Sequence, residues 1–273
     1  MSINRILARA RITFKEFPRR KVRDTQVMDT SNWRIPNICY QTWVNRKLGR
    51  SHLAEVRNFR ERNKDISFLL YDEEGLNRYM FESWGGHPIY KIFLESNFGP
   101  MRADIFRYCI LFEKGGYYFD ISKGCDAPLR SMHDSHAEAF ISFEKNLHGW
   151  KMPDSIKRKL DFPENLIIQW GFGFIKGHPI LMEVIDSIVE NEAKFRGKSF
   201  ETPKHAILDY TGPQSFTRAV HKSVGSLPHD TLTQAGVDFL GKGRYALNGS
   251  FVRYFTKKHY TEFSHSAILR DAK

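Results

Sequence analysis

Cysteine is scarce in this chain. Its 273 residues hold only Cys39, Cys109 and Cys125, an odd number with no Cys-x-x-Cys pair. That usage offers neither a disulfide framework nor a thiolate metal site, and it suits a reducing compartment. Long apolar runs are also missing. No stretch approaches the roughly 18 consecutive apolar residues of a membrane-crossing helix. The amino terminus lacks the continuous apolar core of a secretory leader, so the expectation is a cytoplasmic protein. Acidic residues are outnumbered by basic ones, 31 against 42. What is present is the composition of a folded protein, 41% hydrophobic and 14% aromatic, long enough for one sizeable core.

The excess positive charge is uneven. Residues 1–26 hold Arg5, Arg9, Arg11, Lys15, Arg19, Arg20, Lys21 and Arg23 against Glu16 and Asp24, more than half of the net +11. On a helix advancing about 100° per residue, Ile3, Ile6, Leu7, Ala10, Phe14 and Phe17 share one stripe, and Pro18 ends it. The chain therefore divides into a basic amphipathic arm, 1–26, and a body, 27–273. Two readings of the arm stand open: a helix lying on an anionic bilayer, where burial and charge attraction add, or a terminal helix docked on the body. No basic groove interleaved with aromatics follows, so nucleic acid is not an expected partner.

Past the arm, strands and helices alternate. IPNICY (35–40) and ISFLLY (66–71) read as strands. Leu53, Val56 and Phe59 mark a helix ending near Asn63, and helices are expected near 73–83 and 88–97. A long one runs from about Met101 to Lys114, and Gly115 and Gly116 end it before the strand YYFDI. Apolar strands separated by helices imply an α/β fold with a parallel sheet covered on both faces. Ligands of such sheets gather at the carboxyl ends of strands, where Asp120 lies. The segment 145–165 reads as a loop over that edge. Further helices are expected within 178–195, 203–210 and 214–224.

The helix before YYFDI is apolar nearly all round, yet it carries Asp104 and Arg107 three residues apart. Taken alone these make an ordinary i, i+3 ion pair. The helix–turn–strand hairpin, however, brings Asp104, Arg107 and Asp120 toward one sheet edge.

RADIFRYCILFEKGGYYFD resembles the signature of the glycosyltransferases with a DXD sugar-binding motif. This family, numbered 32, includes bacterial capsule and lipopolysaccharide transferases, the yeast initiating α-1,6-mannosyltransferase and, more distantly, the clostridial glucosylating toxins. IPNICYQTW, IIQWGFGFIKGHP (167–179) and YTGPQSFT (210–217) resemble further landmarks of the family in the same order. The resemblance runs from about Ile35 to Val220 and implies a GT-A fold, a Rossmann-like sheet that binds a nucleotide sugar. The implied activity is retaining hexosyl transfer from that donor to a surface-polysaccharide, lipopolysaccharide or other lipid-linked glycan. Mn²⁺ or Mg²⁺ is the implied cofactor, because the departing diphosphate gathers negative charge that a metal or a cationic clamp must neutralise.

Carried over by resemblance, Asp104 accepts hydrogen bonds from the donor sugar and Arg107 holds the sugar or the diphosphate. Asp120 is the first acid of DXD. Gln41, Thr42 and Trp43 lie near the base, with Trp43 either stacking on it or packed in the core. Of Tyr117 and Tyr118 only one can line the site; Tyr118 is the one assigned to donor binding.

The second acid of DXD is absent. The triplet here reads DIS, with neutral Ser122 where a metal carboxylate is expected. Three explanations stay open. The first is a metal site completed by Asp120, Ser122, donor phosphates, water and a C-terminal histidine, His259 or His265. The second has Lys123 or Arg107 supply the positive charge instead, and the third is a non-catalytic glycan- or nucleotide-binding module. The TGP turn is expected near the acceptor.

Overall fold

The computed structural model describes residues 14–28, 32–228, 230–255 and 259–270. The amphipathic helix expected near the amino terminus lies outside the described residues as far as residue 13. The elements that position the site are, in chain order, β1 (Arg20–Lys21), β2 (Ile38–Thr42), β3 (Lys47–Leu48), α1 (Arg50–Glu61), β4 (Ser67–Tyr71), α2 (Glu73–Trp84), α3 (Pro88–Glu95), α4 (Gly99–Lys114) and β5 (Gly116–Phe119). They continue with β6 (Ala139–Leu147), β7 (Asn165–Ile167), β8 (Gly171–Phe174), α5 (Pro179–Glu190), α6 (Pro203–Tyr210), α7 (Pro213–Ser223) and β9 (Leu232–Val237).

The central sheet has the order β9-β6-β8-β5-β2-β4, with β7 paired to β6. Neighbours β9–β6, β5–β2 and β2–β4 are parallel. Strand β8 is antiparallel to both β5 and β6, and β7 is antiparallel to β6. The sheet is thus mixed, where alternation of strands and helices predicts a parallel one. The difference arises because β6, β7 and β8 follow one another without a crossover helix, the condition under which strands can return antiparallel. The fold is α/β, a mixed sheet flanked by helices, consistent with the expected GT-A class.

Local chemistry explains the elements nearest the site. Helix α2 starts where the Asp72 carboxylate accepts from the Gly75 amide, a side-chain N-cap. Helix α4 carries proline in its first turn and ends at Gly115, whose φ of 68° suits a residue without a Cβ. At Gly116 (φ 102°) an added Cβ would lie 2.5 Å from the Ile38 carbonyl oxygen. The two glycines therefore let β5 turn sharply out of α4 and run against β2.

Alternation along the strands sorts side chains between two cores. Tyr40 and Tyr118 join the large core with α4, whose residues from Asp104 to Leu111 are all buried. Cys39, Tyr117 and Phe119 join the core on the other face. All three cysteines are buried and unpaired.

Residues 16–28 run along the body. Strand β1 pairs with β3, and Val22 is buried with Leu48, Leu53, Val56 and Leu70. Thr25 forms a bridge to Phe68. Glu16 is buried, and its carboxylate accepts from the Ser51 amide at 2.9 Å and from the Ser51 hydroxyl. Helix α1 has Gly49 at its N-cap with no side chain to offer. Glu16 thus caps it from a distant part of the chain.

Candidate active site

Strands β9, β6, β5, β2 and β4 end at one edge of the sheet. Asp120 directly follows β5 there, and Trp43 directly follows β2. Trp170 immediately precedes the antiparallel β8, which brings it to the same edge, and its carbonyl accepts from the Asp120 amide at 2.8 Å.

Arg107 organises this edge. Its Nη2 lies 3.1 Å from Asp104 Oδ1 and 3.2 Å from Asp120 Oδ1. Its Nη1 donates to the Gln169 carbonyl at 2.8 Å, and the guanidinium rests 4.6 Å from the centre of the Tyr118 ring. The Tyr118 hydroxyl donates to Asp120 Oδ1 at 2.9 Å and meets the Thr42 hydroxyl at 3.0 Å. One guanidinium thus joins the acid of the helix to the acid of the strand. Asp104 and Arg107 are buried, whereas the Asp120 side chain keeps 28% of its surface exposed. Asp120 is the most exposed of the three.

Burial raises the Asp104 carboxyl to about 7, against the opposing pull of Arg107 and of the Thr211 hydroxyl. Burial also disfavours the charge of Arg107, but Asp120, Tyr118 and Asp104 outweigh it and hold the guanidinium pKa above its ordinary value. Lys123 is lowered, chiefly by burial. Its ammonium donates to the Tyr245 carbonyl and sits 5.9 Å from the Trp170 ring centre and 5.5 Å from that of Tyr245.

The residues expected near the base separate. Thr42 joins the Tyr118–Asp120 network, while Gln41 points to the opposite face and accepts from Arg60 Nη2 at 2.9 Å. Trp43 is half-buried, with His52 against it edge to face at 5.5 Å and the Arg253 guanidinium 5.0 Å from its ring centre.

A cleft of about 570 Å³ opens beside this edge, between the start of α4 (Phe98, Gly99, Pro100) and a C-terminal wall that includes Arg253, Tyr254, His259, Tyr260 and Phe263. Arg253, which lines the cleft, lies against Trp43, so the cleft reaches the end of β2; Asp104, Arg107 and Asp120 are not among its lining residues. Periodicity along the sequence gives no sign of Tyr254 and Tyr260, because short 3₁₀ helices carry them.

The donor set bears on the expected metal. Both side-chain hydrogen bonds to Asp120 fall on Oδ1, which leaves Oδ2 without one among the described residues. Ser122 adds only a neutral hydroxyl. His259 Nδ1 faces the Thr261 hydroxyl at 2.6 Å and the Thr261 amide at 3.4 Å, an N-capping role. Among the described residues no three of His, Cys, Asp and Glu converge on a point that could hold an ion. Of the residues expected to hold an ion, Asp120 alone offers a carboxylate.

Two buried residues that motif reading did not place as contacts complete the arrangement. The Thr211 hydroxyl donates to Asp104 Oδ2 at 2.9 Å, and Gln169 Nε2 reaches the Tyr108 hydroxyl and the Thr211 carbonyl at 2.6 and 3.0 Å. Both lie in segments whose resemblance to family landmarks is legible, IIQWGFGF and YTGP.

Comparison with known proteins supports that resemblance. Residues 19–139 match the family described as "Glycosyltransferase sugar-binding region containing DXD motif". The initiation-specific α-1,6-mannosyltransferase of Schizosaccharomyces pombe is 25% identical over 198 residues, 68% of this chain and 48% of that protein. Inositol phosphoceramide mannosyltransferase 3 of the same organism is 24% identical over 180 residues, 66% of this chain and 43% of its own. The chain spans about half the length of these curated relatives. Among solved structures, the PaToxG glycosyltransferase superposes with a TM-score of 0.47 at 15% identity, covering 81% of this chain and 80% of that one. Among the described residues no helix is long and apolar enough to cross a membrane.

Proposed function

We propose that this chain is a retaining glycosyltransferase that moves a hexosyl group from a nucleotide-sugar donor to a glycan or lipid-linked acceptor, the chemistry of capsule and lipopolysaccharide synthesis. One observation carries the reading. A single buried guanidinium holds the helix acid Asp104 and the sheet-edge acid Asp120 together at the carboxyl ends of the strands. In this reading Asp104 accepts hydrogen bonds from sugar hydroxyls. Arg107 fixes both acids and directs positive charge toward the diphosphate, and Tyr118 with Thr42 orients Asp120. Trp43 meets the base. A divalent ion, Mn²⁺ or Mg²⁺, held by Asp120 and Ser122 with the donor phosphates, supplies neutralisation of the leaving group when bound.

The reaction breaks the bond between the anomeric carbon and the diphosphate oxygen, which keeps the electron pair. The acceptor hydroxyl oxygen bonds the same carbon on the same face, and its proton passes to the departing phosphate. The test is hydrolysis and transfer with a panel of uridine- and guanosine-diphosphate hexoses. Turnover of at least one donor, abolished in Asp120→Asn, is expected. Ser122 favours one rival, a glycan- or nucleotide-binding module without turnover, and binding of a donor with no turnover of any would establish it.

The mannosyltransferase relatives make a mannosyl donor the first to try. The arm, residues 1–26, is proposed to bring the enzyme to the cytoplasmic face of an anionic membrane. Phe14 and Phe17 are 81% and 50% exposed, and Arg20, Lys21 and Arg23 lie on the surface nearby. Co-sedimentation with anionic vesicles should fall for a chain lacking residues 1–13; equal partitioning with the full chain would remove this role.

A further inference from the structure

Thr211 caps the carboxyl end of α6 and is completely buried. Each of its polar groups is committed. The amide donates to the Ile207 carbonyl at 3.0 Å, and the carbonyl accepts from the Tyr108 hydroxyl at 2.9 Å and from Gln169 Nε2 at 3.0 Å. A capping threonine can turn its hydroxyl back on its own helix, but here the Ile207 oxygen is at 3.5 Å and Asp104 Oδ2 at 2.9 Å. The hydroxyl is therefore aimed at Asp104.

The contacts close a ring. Arg107 holds Asp104 Oδ1 through Nη2 and the Gln169 carbonyl through Nη1. Gln169 holds the Thr211 carbonyl, and Thr211 holds Asp104 Oδ2. Three distant segments are thereby locked on one carboxylate. Each carboxylate oxygen has about two acceptor directions; Arg107 takes one on Oδ1 and Thr211 one on Oδ2, and the Gln169 side chain also helps to hold the carboxyl. Whatever acceptor capacity is left points in directions fixed by the ring.

We infer that Thr211 is a positioning residue which, by fixing the acceptor directions left on Asp104, determines which hydroxyl epimers of the donor sugar are accepted. The inference rests on the donor-binding role proposed for Asp104. An oriented buried acceptor rejects a sugar whose hydroxyl points elsewhere, because the acceptor then stays unpaired. An acceptor free to rotate discriminates less.

The experiment measures kcat/KM for uridine- and guanosine-diphosphate glucose, galactose and mannose with the wild-type chain, Thr211→Val and Thr211→Ser. Valine keeps the shape and removes the donor; serine keeps the donor. Thr211→Val is expected to lose roughly 10–100-fold on the preferred hexose and only about 3-fold on its disfavoured epimer, narrowing the preference about tenfold or more. Thr211→Ser is expected to keep the preference. Equal losses across the panel, or an unchanged epimer ratio in a Thr211→Val chain that melts cooperatively, would overturn the inference. If Thr211→Val fails to melt cooperatively, the serine arm decides, since loss of the preference in Thr211→Ser also overturns it. A wild-type chain that neither binds nor turns over any member of the panel would instead overturn the proposed function, and the inference with it.

Discussion

Replacing Arg107 by methionine should destabilise the protein by an amount that grows with pH. The guanidinium pairs with Asp104 and Asp120 and donates to the Gln169 carbonyl, while methionine retains only the apolar stem. Near pH 6 the Asp104 carboxyl, at about 7 in the native protein, is mostly protonated. The loss is then mainly the Asp120 pairing and the hydrogen bond, on the order of 2 kcal/mol.

Above pH 7 the wild type ionises Asp104 beside Arg107. The variant has no such cation, so burial keeps its carboxyl protonated. The unfolded chain releases that proton near 3.8, so the folded variant holds more protons than the unfolded one. Its stability therefore falls by about 1.4 kcal/mol per pH unit up to its raised native pKa. The wild type shows that slope only between 3.8 and about 7. The difference between the two proteins should thus widen by roughly 2 kcal/mol between pH 6 and about pH 8.5.

Urea unfolding at the two pH values measures it. The double variant Asp104→Asn with Arg107→Met, which lacks the titrating carboxyl, should show no widening. A pH-independent loss in Arg107→Met, or a widening that survives in the double variant, would refute the argument.

Tyr118→Phe keeps the ring beneath Arg107 and removes the hydroxyl that donates to Asp120; kcat/KM for the donor should fall roughly 5–30-fold and stability by about 1–3 kcal/mol, and full activity would exclude this role. Gly173→Ala places a Cβ 2.7 Å from the Tyr117 ring and should cost about 1–3 kcal/mol by overpacking, read as a lower urea midpoint; an unchanged midpoint would show that the β5–β8 contact yields freely. Chelation should weaken nucleotide-sugar binding measured by calorimetry, and Mn²⁺ or Mg²⁺ should restore it in the wild type but not in Asp120→Asn. Equal affinity with and without chelator would argue against an ion at Asp120.

Much of the fold is legible along the chain because its causes are local. Leu53, Val56 and Phe59 mark α1, the acids after β4 mark α2, and the glycine pair marks the exit from α4. The meeting of Asp104, Arg107 and Asp120 is legible because one hairpin carries all three. Strand β8 is different. Its glycines show no direction until Gly171 and Gly173 are seen opposite Phe119 and Tyr117, a register fixed by packing between distant segments. Thr211 lies 107 residues from Asp104, beyond any local pattern. The separation of Gln41 from Thr42 does follow from strand alternation, and the register that pairs Tyr40 with Tyr118 decides which of the two meets the site.

Glu16 has a consequence for where the proposed membrane arm could be cut away. Its carboxylate supplies the cap that Gly49 cannot, and a short way along the chain Val22 fills a small core. Cleavage just before Phe14 would shed the first basic residues and leave α1 anchored. Cleavage after Phe17 would carry Glu16 away and open the first turn of that helix. Loss of the proposed arm and unravelling of the helix are thus separated by only a few peptide bonds.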